Sequence, residues 1–277
     1  VKRIGILCHP LNKAARPMAD ELESFLSARG VSTWVCSAWE SDEARAQLED
    51  TDLILTVGGD GTILRAAQVV ISNPIPITGV NLGKLGFMTE LSAAEAKDKL
   101  AALLAGEGWI DERAMLEAKL KTPDSKGAQV LYALNDMVMA RGEVARMVHI
   151  EAAIDGKELT TYRADGVILA TATGSTGYSL SAGGPILHPQ AKEFLLLPIL
   201  PHLSLAYTLV LPSSVSVRLR INAAHTTTLS VDGHINLSLA SGTTLEVKQS
   251  KKKTRFLRIH PDSSFYGSLE QRLKGKK

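Results

Sequence analysis

The residues best suited to chemistry gather in three short segments. The first is Gly58-Gly59-Asp60-Gly61-Thr62, which follows the apolar run Leu53 to Val57 and precedes a helix-like stretch from Ile63 to Val70. Glycines let backbone N–H groups close on an anion, and the N-terminus of the next helix adds a favourable dipole, so the segment suits a phosphate. It is neither a GxGxxG fingerprint nor a GxxxxGKS/T loop, and Asp60 would repel a phosphate laid directly against it. Two readings of Asp60 stay open. It is a helix N-cap that accepts N–H bonds from the next turn, worth roughly 0.5 to 2 kcal/mol. Alternatively, it takes the proton of a nucleophilic hydroxyl or helps hold a metal while the glycines admit phosphates.

The second segment runs from Thr171 to Pro185 and packs hydroxyls and glycines between two apolar runs. Such a loop binds polar groups closely, and Tyr178 could stack on a ring; the alternative is an elaborate turn whose hydroxyls satisfy one another. The third is Asn135-Asp136, inside the apolar run Leu131 to Met139. Neighbouring strand side chains face opposite ways, so one of this pair meets a packed face and needs a partner. A sugar diol would serve, as would a strand-end cap or turn.

The elements that must position these residues follow two periodicities. Arg3 to Cys8, Val31 to Cys36, Leu53 to Val57 and Ile75 to Val80 are apolar without alternation, as strands buried on both faces are, and helix-like segments fill the gaps. Pro17 suits the first turn of a helix ending near Gly30, Ser92-Ala93-Ala94-Glu95 reads as a capping box, and Gly106 closes that helix. This predicts a doubly wound parallel-sheet α/β domain over residues 1–112. After Arg113 the period becomes two, as in Leu116, Ala118 and Leu120 or Val148, Ile150, Ala152 and Ile154, with Asp155-Gly156, Asp165-Gly166 and Asp232-Gly233 as candidate tight turns. A second, mainly antiparallel domain is expected over 113–260. Residues 261–277 form a tail, with Phe265, Leu269 and Leu273 on one face of a short helix that is a candidate for packing on the first domain. Lys251-Lys252-Lys253 reads as a solvated turn.

Composition narrows the partners. The chain has 277 residues, 45% of them hydrophobic, and its 31 basic against 29 acidic side chains leave a formal charge of +2. No global field attracts nucleic acid or a membrane surface. There is neither a signal-peptide pattern nor a membrane-length apolar run, so a cytoplasmic protein is expected. Cys8 and Cys36 lack metal-ligand spacing and read as buried, reduced thiols.

Together the three segments resemble the NAD kinases, which phosphorylate the adenosine ribose 2'-hydroxyl of NAD to make NADP. Gly58-Gly59-Asp60-Gly61 is similar to the family's first motif, and Asn135-Asp136 to its asparagine and acidic pair. Thr173-Gly174-Ser175-Thr176 with Gly183-Gly184 is similar to its long glycine and threonine motif. The resemblance implies that Asp60 accepts the proton, that Gly58, Gly59, Gly61 and Thr62 line the phosphates, and that Gly61 and Arg65 lie beside the dinucleotide or phosphates. It implies that Asn135 and Asp136 hold the adenosine end, with Arg146, Arg163 and Asp165 as further dinucleotide contacts. Thr176, Gly177, Tyr178, Ser179, Leu180 and Ser181 would line the same pocket, and His234 would come near the ligand.

It also implies a C-terminal β-sandwich and a homodimer or homotetramer, with part of each site supplied by a neighbour. Mg²⁺ would arrive with ATP rather than in a protein cage; inorganic polyphosphate as donor stays open. Three positions depart from the family pattern: Asp136 where many members carry Glu, Ala172 where proline is common, and Gly177 where alanine is common. None removes a functional group. The competing functions are a lipid kinase with a similar GGDG loop, acting on diacylglycerol or a sphingoid base, and a dinucleotide sensor that transfers nothing. No basic amphipathic helix favours the lipid surface.

Overall fold

The computed structural model describes residues 1–83, 86–142, 146–202, 206–222, 225–261 and 264–274. The chain divides into two compact units, Val1–Glu112 with Thr254–Lys277, and Arg113–Lys253.

The first unit begins with β1 (Arg3–Cys8), α1 (Ala15–Ser27), β2 (Ser32–Ser37), α2 (Ser41–Ala46), β3 (Leu53–Val57) and α3 (Asp60–Val69). It continues through β4 (Ile77–Asn81), the short β5 (Leu91–Ser92) and α4 (Ala96–Leu104). Its strands pair in parallel in the order β4-β3-β1-β2. β3 and β4 are buried at every residue and β1 at all but its first, which is why these sequences run apolar without alternating. α1 buries Ala15, Ala19, Leu22 and Leu26, one stripe of a helix whose first turn contains Pro17. Because neighbouring strands run the same way, the segments that follow Cys8, Val57 and Asn81 leave one edge of the sheet together, where ligands of such sheets collect.

The expected capping box forms by half. Glu95 Oε1 accepts the Ser92 N–H at 2.7 Å, but the Ser92 hydroxyl also donates to that carboxylate at 2.9 Å instead of capping the helix. Gly106 closes α4 at φ 89°, its N–H on the Leu103 carbonyl.

Trp109–Lys121 (β6) leads into the second unit, which contains β7 (Gln129–Ala133), β8 (Asp136–Arg141), β9 (Val148–Ile154), β10 (Lys157–Ala164) and β11 (Gly166–Ala170). After α5 (Tyr178–Ser181) come β12 (Phe194–Ile199), β13 (Leu209–Leu211), β14 (Ser216–Ile221), β15 (Thr227–Val231), β16 (Ile235–Leu239) and β17 (Thr244–Arg258). One layer is a six-stranded sheet in the order β13-β12-β11-β8-β15-β16, antiparallel throughout. The other joins β10, β9, β14 and the first part of β17, with the hairpin of β6 and β7 alongside. Met139, Leu169, Leu196 and Leu229 of the first layer and Ile150, Val217, Leu219 and Val247 of the second share one core, a β-sandwich.

Two expected turns hold: Asp155-Gly156 has φ of 48° and 79°, and Asp232-Gly233 has 50° and 69°. Asp165-Gly166 is not a hairpin turn. β10 pairs with β9, whereas β11 pairs with β8 and β12, so this dipeptide carries the chain between layers. Lys251-Lys252-Lys253 is not a turn either: it lies within β17, with the Lys252 ammonium 4.7 Å from the centre of the Tyr132 ring. The end of β17 returns to the first unit, where Phe256 sits opposite Ile77 of β4, and α6 (Ser264–Lys274) follows.

Candidate functional site

In the first unit, β3 ends at Val57 and α3 starts at Asp60, with extended Gly59 as its N-cap residue. The capping reading of Asp60 is overturned, because no side-chain cap bond forms at this helix. The carboxylate instead reaches the irregular segment after β4. Oδ2 accepts the N–H of Phe87 at 2.8 Å, and Oδ1 accepts those of Met88 at 3.0 Å and Thr89 at 3.2 Å. A carboxylate offers about four lone-pair sites, and these three backbone donors occupy three of them.

This clasp requires Gly86. A Cβ there would stand 2.1 Å from Asp60 Oδ1, so any side chain forces the carboxylate to turn away. The obstacle is the end of a side chain rather than backbone, and the fold can yield. Gly86→Ala is therefore expected to lower Tm as the clasp loosens and to lower kcat by about 10²-fold, the loss that a misplacement of about 1 Å brings. Steady-state kinetics beside thermal denaturation check this.

Next to Asp60 lies a cavity of about 350 Å³ lined by His9, Asn12, Gly58, Gly59, Gly61, Thr62, Asn81, Leu82 and Gly83. Its size falls at the lower end of small-ligand sites, roughly 300 to 1,000 Å³. A Cβ built on Gly59 or Gly61 meets nothing within 4 Å, so the glycines leave their backbone open to a ligand. Thr62 Oγ1 is buried without a partner, a hydroxyl left for an anion to satisfy. Sequence reasoning missed His9 and Asn12, although their place directly after β1 was the available signal. Arg65 packs its guanidinium 4.0 Å over the Trp39 ring, which meets His9 edge-on at 4.6 Å. Arg65 thus backs the cavity wall through Trp39 and His9.

In the second unit, the run Leu131 to Met139 breaks at Leu134 and Asn135, between β7 and β8. The carboxylate of Asp232 explains the break, accepting the N–H groups of Leu134, Asn135 and Asp136 at 3.0, 2.7 and 3.2 Å. Asp232 was legible as a turn residue only. Its φ of 50° aims the carboxylate back at the 134–136 backbone. Thr171 braces the other side: its hydroxyl donates to the Leu134 carbonyl at 2.6 Å and accepts the Gly174 N–H at 3.0 Å. A Cβ on Gly174 would fall 2.1 Å from the Asn135 carbonyl oxygen. Here the obstacle is backbone, so Gly174→Ala is expected to cost about 1 to 3 kcal/mol or more. Denaturation would show it as a clear fall in Tm.

The side chains of the pair have no such support. Asn135 Oδ1, Thr173 Oγ1 and Ser179 Oγ are buried without partners. Asp136 is 5% exposed, and burial, with the Asp232 charge adding, pushes its carboxyl up to about 7. Gly177 leaves room beside them: a Cβ there would lie 3.5 Å from Asn135 Nδ2 and 3.7 Å from Asp136 Oδ2. Buried polar atoms without protein partners are groups that a polyhydroxylated ligand would satisfy. Other hydroxyls of the loop serve the turn itself, Ser175 Oγ donating to the Ala172 carbonyl at 2.7 Å and Thr176 Oγ1 to the Thr173 carbonyl at 3.2 Å.

The remaining expected residues are found in varied settings. Tyr178 is 48% exposed at the start of α5, Leu180 is half-buried and Ser181 exposed. His234 holds Nδ1 3.0 Å from the Asp232 carbonyl oxygen. Arg146 is exposed, Arg163 is exposed on β10, and Asp165 is paired with Arg141 at 3.0 Å.

The open glycine backbone and partnerless Thr62 hydroxyl of the first unit suit a phosphate, and the partnerless polar atoms of the second suit a sugar, which is the chemistry of the nucleotide-binding class of two-unit proteins. A family model described as the ATP-NAD kinase N-terminal domain matches residues 29–108, and one described as the ATP-NAD kinase C-terminal domain matches 134–259. The NAD kinase of Dehalococcoides mccartyi is 50% identical over 274 residues, covering 99% of this chain and 96% of its own. That of Chloroflexus aggregans is 38% identical, with 99% of both chains covered. Among solved structures, yeast NADH kinase complexed with NADH superposes with a TM-score of 0.89 at 29% identity, covering 99% of this chain and 88% of that one. An NAD kinase from Archaeoglobus fulgidus in complex with ATP gives 0.79 at 25%, covering 97% and 98%. The chain belongs to the NAD kinase family.

Proposed function

We propose that the chain transfers the γ-phosphoryl group of ATP to the adenosine ribose 2'-hydroxyl of NAD, giving NADP and ADP. The observation that carries this reading is the Asp60 carboxylate clasped by three backbone N–H groups and flanked by glycines that line a cavity of about 350 Å³. A protonated hydroxyl is a poor nucleophile. In the transfer, the Asp60 carboxylate takes the hydroxyl proton as O2' bonds to the γ-phosphorus and the bond from that phosphorus to the ADP oxygen breaks. Gly58, Gly59, Gly61 and Thr62 hold the phosphates, while Asn135, Asp136, Thr173 and Ser179 receive the sugar and base of the dinucleotide. Arg146, Arg163, Asp165, Tyr178 and His234 are proposed as further contacts. Relatives described with NADH and with ATP support the substrate pair.

Mg²⁺ enters as part of the donor. The cluster of three ligand-type side chains among the described residues is Cys36, Glu40 and Glu43, and its thiol, pushed up to about 11 by burial and the nearby glutamates, is a poor partner for this ion. Mg²⁺ commonly keeps its water and rides on phosphates, where it neutralises charge in the transfer. We extend the proposal to a cytoplasmic homodimer or homotetramer; among the described residues no helix is long and apolar enough to cross a membrane.

One experiment separates the readings. The protein is supplied with Mg·ATP and NAD, product is read with an NADP-specific dehydrogenase, and parallel reactions replace NAD with diacylglycerol or ATP with polyphosphate. NADP formation is expected. Lipid phosphorylation alone, or NAD binding without turnover, would replace the proposal with a lipid kinase or a sensor.

A further inference from the structure

The segment that clasps Asp60 is itself gripped from behind. The Met88 carbonyl, joined through its peptide plane to the Thr89 N–H, accepts a bond from Arg258 Nη1 at 2.7 Å. The Gly86 carbonyl, joined in the same way to the Phe87 N–H, accepts one from Arg272 Nη1. Each peptide unit therefore lies in line between a guanidinium on its oxygen and the Asp60 carboxylate on its nitrogen: Arg258 to Met88–Thr89 to Oδ1, and Arg272 to Gly86–Phe87 to Oδ2. Hydrogen bonds in a chain polarise one another, so a cation on the carbonyl strengthens the N–H as a donor.

Arg258 is held firmly for this task. It is 6% exposed, with Nε 3.2 Å from Asp111 Oδ2 and Nη1 3.1 Å from Glu90 Oε2, and Glu90 in turn accepts the N–H groups of Ile259 and His260. A buried guanidinium between two carboxylates is fixed in place, and its remaining reach goes to one carbonyl of an irregular segment. Arg272 arrives from a different element, α6, and does the same to the neighbouring peptide plane but one.

We infer that Arg258 and Arg272 are positioning residues for the kinase reaction, acting on Asp60 through the Met88–Thr89 and Gly86–Phe87 peptide planes to fix its carboxylate. The inference rests on Asp60 as the proton acceptor. It also gives the C-terminal helix a part in turnover although none of its residues is assigned to a substrate.

The test is Arg272→Gln in the full chain, alone and combined with Asp60→Asn, followed by steady-state kinetics with NAD and Mg·ATP. Alone, the change is expected to lower kcat by about 10- to 100-fold with KM for both substrates nearly unchanged, as misplacement of a catalytic group does. Arg272→Lys, which can still donate to the Gly86 carbonyl, should recover most of that loss. When Asp60→Asn is already present, adding Arg272→Gln should cost little more, because the group it positions is gone. Arg258→Lys, which keeps the buried charge and can still donate to the Met88 carbonyl, should likewise retain most of the wild-type kcat. Unchanged kcat in Arg272→Gln, an effect on KM alone, or an equal loss in both backgrounds would overturn the inference. If Asp60→Asn alone kept near wild-type turnover, the proton-acceptor reading would fall and take the inference with it, a result distinct from the others.

Discussion

Replacing Asp60 with Asn is expected to lower kcat by about 10² to 10⁴ while the Kd for NAD changes by no more than about threefold. The amide keeps an oxygen that can still accept from Met88 and Thr89, but its nitrogen faces the Phe87 N–H, so one bond of the clasp is lost. A single buried donor left unpaired costs about 1 to 3 kcal/mol of stability, which a thermal scan records separately. Turnover falls further because an amide cannot take the hydroxyl proton. Steady-state kinetics and calorimetric NAD binding on the same preparation separate the effects. A large rise in Kd with kcat preserved would make Asp60 a binding residue.

Asp136→Asn is expected to raise stability and weaken NAD binding together, with a pH dependence that follows from the raised carboxyl. The folded value of about 7 lies above the ordinary 3.8, so between these values the native state holds a proton that the unfolded chain has released. Stability of the wild-type protein therefore falls as pH rises from about 4 to 7 and stays at the lower level above, a cost on the order of 2 to 4 kcal/mol. Asn carries no such charge. At pH 8 the variant should melt several degrees above wild type, and at pH 4 the difference should largely vanish. NAD affinity should move the other way, since a buried carboxylate is a strong acceptor for a sugar diol and an amide is weaker. A protein that keeps an uncompensated buried carboxylate gives up stability for a ligand contact. Thermal scans at the two pH values, with NAD titrations at pH 8, check both halves; equal melting of variant and wild type at pH 8 would remove the argument.

The strands of the first unit were legible because apolar runs such as Leu53 to Val57 and Arg3 to Cys8 can only be buried on both faces. Period two showed the second unit just as directly. What local pattern could not supply was any pairing over a long sequence distance. Asp60 and Asp232 each spend a carboxylate on three backbone N–H groups, 27 to 29 residues away for Asp60 and 96 to 98 away for Asp232. No propensity encodes such a contact. Asp60 therefore allowed a capping reading, and Asp232 read only as a turn. Asp165-Gly166 misled for a related reason, since a turn-type dipeptide also serves a chain that changes layers, and only the pairing partners distinguish the two. Asn135-Asp136 was found from sequence because two polar residues in an apolar run conflict with burial, and such conflicts mark function.

The central claim is transfer to one hydroxyl, and its most direct measurement uses ATP labelled in the γ-phosphate with NAD and with an NAD analogue lacking the adenosine 2'-hydroxyl. Label is expected in NAD, as NADP, and none in the analogue. Label appearing in the analogue at a comparable rate, or in neither, would contradict the account.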